Sequence, residues 1–390
     1  MRHFNKYYLI VLGLSIPPLI SIFSTLQFPH VHDGIVHLAR MAAYFKALQD
    51  FQIPVRWAGD LNYGYGMPLF NFIYHVPYLF SAFFIFLGFG LVFTFKIVLS
   101  LSFLLSGVFM FAFAKEFFNP SADGDKKALL VTIFYQFAPF RLIELLVRGS
   151  YGEVYAYTFF PLVLFGLVKI FQKKEAIFVI ITGAATSLLI LSHNALSLTF
   201  FGMCVLFILF FAKSKKNIAW GLTSLFLGLM LSAFYWIPAI FEHKYTYGDL
   251  FMKDLFRSHF PPIQNFFIPN FTNTEALQTG GISVQFGLFH VIAIIFGFFV
   301  LLKKKTEIKH KQIIMLSLIL IASSLFIMSN LSLFLWERIS FLRQFQFSWR
   351  FLGIVVFVTS LLAISFMNIK IFKQRWIFIM LLGLVVISTA

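Results

Sequence analysis

Long apolar runs separated by short polar segments organise this chain from end to end. The first extends from roughly Tyr7 to Leu26, and others long enough to cross a bilayer lie near 92–114, 128–147, 154–171, 176–192, 195–212, 218–240, 284–302, 312–328, 351–367 and 376–390. Each predicts a membrane helix, because about 20 apolar residues at about 1.5 Å apiece span the hydrocarbon core. Arg2 and Lys6 precede the first run and no cleavage-site pattern follows it, so it reads as an uncleaved anchor. Its Pro17-Pro18 pair predicts a kink. A further apolar stretch, 68–90, is interrupted by Pro68, Asn71, His75 and Pro77.

Whether 68–90 crosses decides the topology. If it does not, the amino terminus, Lys115–Lys127, Lys169–Glu175, Lys213–Asn217, Lys303–Lys311 and Lys370–Arg375 all fall on one side, as the positive-inside rule demands. The same count gathers 27–67, 141–153, His193-Asn194, 241–283 and 329–350 on the other side. If 68–90 crosses, the first loop is separated from the other polar loops. The non-crossing arrangement is preferred because it assembles one polar face. It predicts an all-α, polytopic membrane protein: a single transmembrane domain over 1–390 with about eleven crossings. A first outer loop, 27–91, carries amphipathic and half-embedded helices, and a second long one covers 241–283. The chain stops inside an apolar run at Ala390, as a truncated reading frame would.

Composition confirms the class and removes others. With 60% hydrophobic and only 12% charged residues, no soluble surface can be assembled. The formal charge of +16 sits in short lysine clusters between apolar runs, which suits loops beside anionic lipid and not nucleic-acid binding. The 57 phenylalanines read as lipid-facing bulk. Cys204 stands alone, so neither a disulfide framework nor a cysteine metal site is available. No fixed-period repeat or domain linker is visible.

Against this background the polar residues of the first outer loop stand out. His32-Asp33-Gly34-Ile35-Val36-His37-Leu38-Ala39-Arg40 is followed by Pro54-Val55-Arg56-Trp57 and Leu61-Asn62-Tyr63-Gly64-Tyr65-Gly66. Ile35, Leu38, Met41, Ala42, Phe45, Leu48 and Phe51 recur at three- and four-residue steps, which predicts an amphipathic helix lying on the bilayer. Arg40 and Lys46 lie toward its polar side with His37 beside it. Asp33, at its start, either caps the helix, contributing about 0.5–2 kcal/mol, or serves chemistry. His32, His37, Arg40 and Arg56 supply the cations that recognise phosphate, and Asp33 the carboxylate that can take a proton from a hydroxyl.

A second group, Arg141, Glu144, Arg148 and Glu153, lies at the junction of two apolar runs. Charges near hydrocarbon are costly unless paired or hydrated, so they mark either a polar site or an ion pair locking two helices. Glu153 is the stronger candidate, since Gly149 and Gly152 allow close backbone approach; Glu144 reads as a partner for Arg141 or Arg148. His193-Asn194 is either a satisfied turn or part of the site. The 241–283 loop carries Glu242, His243, Lys244, Asp249, Asp254, Arg257 and His259 with Pro261, Pro262 and Pro269, in no metal-binding spacing. Arg343 and Arg350 are candidate phosphate ligands, while interfacial anchoring accounts for Trp336 and Trp349. Asn270 and Asn330 begin glycosylation sequons that carry no weight without a eukaryotic secretory context.

The order His32-Asp33-Gly34-x-x-His37-Leu38-x-Arg40, Pro54-x-Arg56-Trp57, Leu61 to Phe72, Arg148-Gly149-x-x-x-Glu153 before Pro161, and Gln346 to Arg350 resembles a group of prokaryotic multispanning proteins. They are labelled 6-pyruvoyl-tetrahydropterin synthase-related, and they are similar to GT-C class glycosyltransferases and YfhO-like membrane proteins. The pterin label implies no function here, since nothing in the chain matches that soluble zinc enzyme. The GT-C likeness implies a membrane-embedded inverting transferase using a polyprenyl-phosphate-linked sugar at the outer face, in cell-envelope glycan or glycolipid modification. It places the catalytic base or metal ligand at Asp33 and a second acid at Glu153. A divalent cation is the cofactor that likeness brings in, though His32-Asp33-Gly34 carries one carboxylate where some GT-C enzymes have two.

The expectations are then specific. Asp33 and Glu153 are the catalytic or metal-binding candidates, and His32, His37, Arg40, Arg56, Arg148, His193, Arg343 and Arg350 the substrate-binding ones. The partners are a polyprenyl-phosphate-linked sugar and membrane lipid, without nucleic acid, in a prokaryotic plasma membrane with the amino terminus cytoplasmic. Two other classes remain: a flippase for lipid-linked saccharides, which would use inverted repeats not seen here, and a non-catalytic envelope assembly protein.

Overall fold

A computed structural model describes residues 6–118, 123–248, 254–268, 282–303 and 308–389. Among them the regular structure is helical, with one isolated antiparallel bridge between Ala58 and Met67. The first elements are α1 (Lys6–Phe23), α2 (Gly34–Gln49), α3 (Val76–Phe86), α4 (Leu91–Phe118) and α5 (Gly124–Gln136). A short helix, α6 (Pro139–Leu142), runs into a π-helical turn over Ile143–Arg148. Then come α7 (Tyr151–Lys173), α8 (Ala176–Ile190), α9 (Asn194–Phe211), α10 (Lys215–Leu231) and α11 (Ala233–Glu242), followed by later apolar helices at Leu288–Leu302, Ile308–Met328, Leu352–Leu362 and Arg375–Ile387.

Six described helices are long and apolar enough to cross a membrane, or eight if two bent pairs each count as one span. The eleven expected crossings are therefore not all met on this measure. Ala176–Ile190, Leu288–Leu302 and Arg375–Ile387 fall where three more were expected, but they run 15, 15 and 13 residues. The run at 128–147 is bent by 53° between α5 and α6, because Pro139 cannot donate its nitrogen to the helix and pushes Ala138 into extended backbone. The run at 218–240 bends by 67° after Leu231, where the Ser232 hydroxyl turns back to the Gly228 carbonyl at 2.9 Å. By contrast α1 continues through Pro17 and Pro18 as one helix.

The contested stretch 68–90 forms α3, only 11 residues long. At 1.5 Å per residue that is about 16 Å, half of a hydrocarbon core of about 30 Å. On length alone it falls short of that thickness. The segment before it docks on the turn between α8 and α9, with the His75 and Val76 amides both donating to the Leu191 carbonyl at 2.9 Å.

The chain divides into two compact units. One comprises residues 13–109 and 144–248, and the other 1–12, 110–143 and 249–390. In the first, α8 packs between α7 and α10 through small residues. A side chain added at Gly228 would lie 2.4 Å from Thr186, so the helices approach closely, as interfaces in lipid do. Aromatic packing fills the rest, with Phe160 and Phe200 stacked at 4.2 Å. The phenylalanines are thus not only lipid-facing bulk: Phe95, Phe160 and Phe200 are wholly buried, while Phe83, Phe86 and Phe226 face outward.

In the second unit, Ser348 donates to the His259 carbonyl at 2.6 Å and Arg257 pairs with Glu337 at 2.6 Å, joining the described part of the 241–283 loop to the 329–350 loop. Trp336 is completely buried, stacked on Phe256 at 5.7 Å, and Trp349 is 3% exposed. Both are core residues and not the interfacial anchors their position suggested. Asp249, Pro269, Asn270 and the amino-terminal Arg2 lie outside the described residues.

One glycine fixes the path of the chain where the π-helical turn ends. Gly149 has φ +60°, and a Cβ there would fall 2.6 Å from the Val31 side chain. Gly149→Ala is expected to lower stability by about 1–3 kcal/mol, read as a drop in the thermal unfolding midpoint in detergent. An unchanged midpoint would reject this account of the turn.

Candidate functional site

The first unit gathers its charged residues around one guanidinium. The π-helical turn carries Glu144 and Arg148 on the same side of the backbone, and it brings Arg148 Nη1 within 2.8 Å of both Glu144 carboxylate oxygens. The same nitrogen lies 3.1 Å from Glu153 Oε1, in the first turn of α7. Its other terminal nitrogen, Nη2, faces Asp33 Oδ2 at 3.5 Å. Three carboxylates from separate stretches of sequence therefore share one cation, which offsets part of the cost of burying them.

Backbone pairing holds the Asp33 segment in place. The His32 and Asp33 amides donate to the Val147 and Arg148 carbonyls at 3.1 and 3.0 Å. Asp33 occupies the N-cap position of α2, yet its side chain makes no capping hydrogen bond. The carboxylate turns to Arg148 instead. Capping, the simpler of the two readings of this acid, does not describe it.

Exposure separates the three acids. The Asp33 side chain is 43% exposed, against 0% for Glu144 and 1% for Glu153. Only Asp33 can meet a solute without rearrangement of the cluster. Glu144 is the bidentate partner of Arg148, while Arg141 donates to Gln136 at 2.7 Å and lies over the Tyr135 ring.

His193 both closes a turn and faces the cluster. Its Nδ1 accepts from the Leu196 amide at 3.1 Å as the cap of α9, which assigns the ring proton to Nε2, 3.6 Å from Glu153 Oε1. Beside it, Asn194 donates to the Phe72 carbonyl at 2.8 Å and accepts from the Tyr235 hydroxyl. Gly152 allows α7 to enter here, since a Cβ would lie 2.5 Å from Tyr74 and 2.6 Å from the Ser192 carbonyl.

A layer of tyrosines and one histidine lies next to the acids. His37 is 2% exposed, its Nδ1 is 2.9 Å from the Tyr78 hydroxyl, and its ring stacks on Tyr151 at 5.0 Å. Tyr74 stacks on Tyr78 at 5.7 Å, and Arg40 hydrogen-bonds the Tyr78 side chain. The sequence placed His37 beside the polar side of α2, but the buried stripe of that helix is Gly34, His37, Met41, Tyr44 and Ala47. Met41, expected on the apolar face, is buried in that stripe, while Ile35 and Phe51 face away from the protein.

The remaining candidates lie elsewhere. Arg56 donates to Asn71 at 3.3 Å, and Asn71 to Glu242 at 2.8 Å, forming a separate polar group in the same unit. The His32 side chain is exposed. Arg343 and Arg350 belong to the other unit, where Arg343 bonds the Trp336 and Glu337 carbonyls and Arg350 the Phe345 carbonyl and Gln346. Tyr74, Tyr78 and Tyr151 were not singled out from sequence. Their signal is weak but real: tyrosines number 14 beside 57 phenylalanines, and a lipid-filling role would not require the hydroxyls.

A divalent cation does not fit this donor set. Among the described residues no three His, Cys, Asp or Glu side chains are gathered to hold a metal ion. Between Asp33 and Glu153 the Arg148 guanidinium already takes the place that a cation would need.

Burial holds the His37 imidazole down at about 3, with Arg40, Arg148 and His193 adding to the effect. Unfolded, the ring takes its proton near 6.5, so the unfolded chain binds more protons between those values. This contribution to stability is full above about pH 6.5 and falls by about 1.4 kcal/mol per unit as pH drops toward 3. His37→Gln is expected to flatten the fall in unfolding temperature between pH 7.5 and 5; equal slopes in both chains would refute the buried neutral ring.

Comparisons with known proteins converge on this architecture. The family model described as 6-pyruvoyl-tetrahydropterin synthase related domain, membrane protein, matches residues 70–390. Together with the apolar helices it makes the chain an integral multi-pass membrane protein. An uncharacterized protein of Lactococcus lactis subsp. cremoris is 24% identical over 270 residues, covering 66% of this chain and 44% of its own length. The arabinofuranosyltransferase AftD from Mycobacteria superposes with a TM-score of 0.58 at 16% identity, over 99% of this chain and 26% of its own. The Archaeoglobus fulgidus oligosaccharyltransferase gives 0.52 at 14% identity, over 98% and 52%. These likenesses show the fold, which is the one the GT-C resemblance implied. The chain spans under half the length of the bacterial relative and about a quarter of the mycobacterial enzyme.

Proposed function

Because the chain belongs to the 6-pyruvoyl-tetrahydropterin synthase related family of membrane proteins and carries the fold of two glycosyltransferases, we propose that it is itself a membrane-embedded glycosyltransferase. The single observation that carries the reading is the Asp33 carboxylate, exposed at a helix start, uncommitted to capping and oriented by a buried guanidinium. A base must reach its proton and be held in place. Asp33 meets both needs; Glu144 and Glu153 meet only the second.

In the proposed reaction the donor is a sugar on polyprenyl phosphate, its tail among the apolar helices. An acceptor hydroxyl gives its proton to Asp33, its oxygen bonds to the anomeric carbon, and the carbon–oxygen bond to phosphate breaks on the opposite face. The electron pair leaves with polyprenyl phosphate, and the anomeric configuration inverts. Glu144 and Glu153 act through Arg148 as positioning residues, and His193 through Glu153. Arg40 and His32, of the same loop, are proposed phosphate contacts. In this reading the amino terminus is cytoplasmic in a prokaryotic plasma membrane and the site faces outward, an orientation that the lysine-rich loops support.

Reconstituted protein given a labelled polyprenyl-phosphate sugar and a mixed glycan acceptor pool tests this. Wild type is expected to form a glycosidic product, and Asp33→Asn to lower turnover about 100-fold or more while membrane abundance and unfolding temperature hold. Full turnover in Asp33→Asn removes that residue from catalysis. Vesicle translocation of the lipid-linked sugar without product would identify a flippase instead.

A further inference from the structure

The charge arrangement around Arg148 goes beyond helix locking. A structural ion pair needs one acid for one base, yet here three carboxylates converge on one guanidinium, from 2.8 Å to 3.5 Å. Nη1 is shared by Glu144 and Glu153 and Nη2 is turned to Asp33, so the planar cation is placed as an ion is placed in a coordination shell. Two buried acids with a third beside them ordinarily signal a divalent cation, whose two positive charges balance the buried pair.

We infer that Arg148 is a built-in substitute for a divalent metal ion: the acid cluster is satisfied by a covalently attached cation, and the chain binds no metal at Asp33 and Glu153. Three features support this. Oxygen ligands must lie within about 2.6 Å of a divalent ion, and the space between these two acids holds the guanidinium. The π-helical turn, rare in itself, is what carries Glu144 and Arg148 into the cluster together. The histidine nearest Glu153 presents its protonated Nε2, a donor and not a ligand, because Nδ1 is used in capping α9.

The chemical consequence rests on the glycosyl-transfer reading, but the binding claim does not. A fixed monovalent cation orients Asp33 without sequestering its lone pairs as a metal would, leaving the carboxylate able to accept a proton. The transferase would then keep its rate in chelator.

The test reads ion binding directly. Full-length protein in lipid nanodiscs is titrated with Mn²⁺ and the bound ion followed by electron paramagnetic resonance. Wild type, Asp33→Asn and Glu153→Gln are expected to bind Mn²⁺ alike. Arg148→Gln, which leaves three acids without their cation, is expected to gain a site at least about tenfold tighter, which adding Glu144→Gln removes. A wild-type site lost in Asp33→Asn or Glu153→Gln overturns the inference, as does a folded Arg148→Gln chain that gains nothing. If Arg148→Gln does not fold, the comparison of wild type with the two acid variants decides alone. Absence of any glycosyl product would count against the proposed reaction while leaving the Mn²⁺ result standing.

Discussion

The pairing of Arg148 with Asp33, Glu144 and Glu153 is the constraint around which the first unit is built. Charges buried away from water are costly unless paired or hydrated, and one guanidinium shared by three carboxyl groups leaves little freedom in where their backbones lie. The loop before α2 is pinned by amide bonds to Val147 and Arg148, α7 must begin close enough to present Glu153, and the α8–α9 turn must present His193. Each segment is brought in by a different helix. The cluster thus ties these segments together alongside apolar packing.

Local chemistry explains how the backbone meets that demand. Pro139 ends the preceding helix, the π-helical turn shifts the register of Glu144 and Arg148, and Gly149 turns the chain under Val31 before α7 starts. Gly152 then lets α7 pass against Tyr74 and the Ser192 carbonyl. A Cβ at Gly149 would meet Val31 at 2.6 Å and one at Gly152 the Ser192 carbonyl at 2.6 Å, so the backbone between Arg148 and Glu153 would have to shift. Helix packing supplies stability, but these few backbone features supply the geometry.

Much of this was legible in the residues. Apolar runs located nearly every long helix, and the interruptions at Pro68, Asn71, His75 and Pro77 fall where the chain forms only an 11-residue helix, α3. Asp33, Arg148, Glu153 and His193 were visible because charge is scarce here, and any charged residue in an apolar chain has a reason. What sequence could not give was pairing. Arg141 and Arg148 looked equivalent as partners for Glu144, and only the proline bend and the π-helical register separate them. Nor could helical spacing show that His37 lies inside, because the buried stripe of α2 mixes Gly34, His37 and Tyr44 with apolar residues.

That buried stripe bears on the balance of charge at the cluster. His37 is held neutral, so the layer formed with Tyr74, Tyr78 and Tyr151 adds hydroxyls and an imidazole next to the acids without adding a second fixed cation. Were that ring protonated, a further positive charge would be buried beside Arg40 and Arg148, the two cations that already disfavour it. Neutral polar neighbours avoid that cost while still offering hydrogen bonds. The one exposed acid of the site therefore takes its orientation from a single guanidinium, and the geometry of that guanidinium is set in turn by the two acids buried behind it.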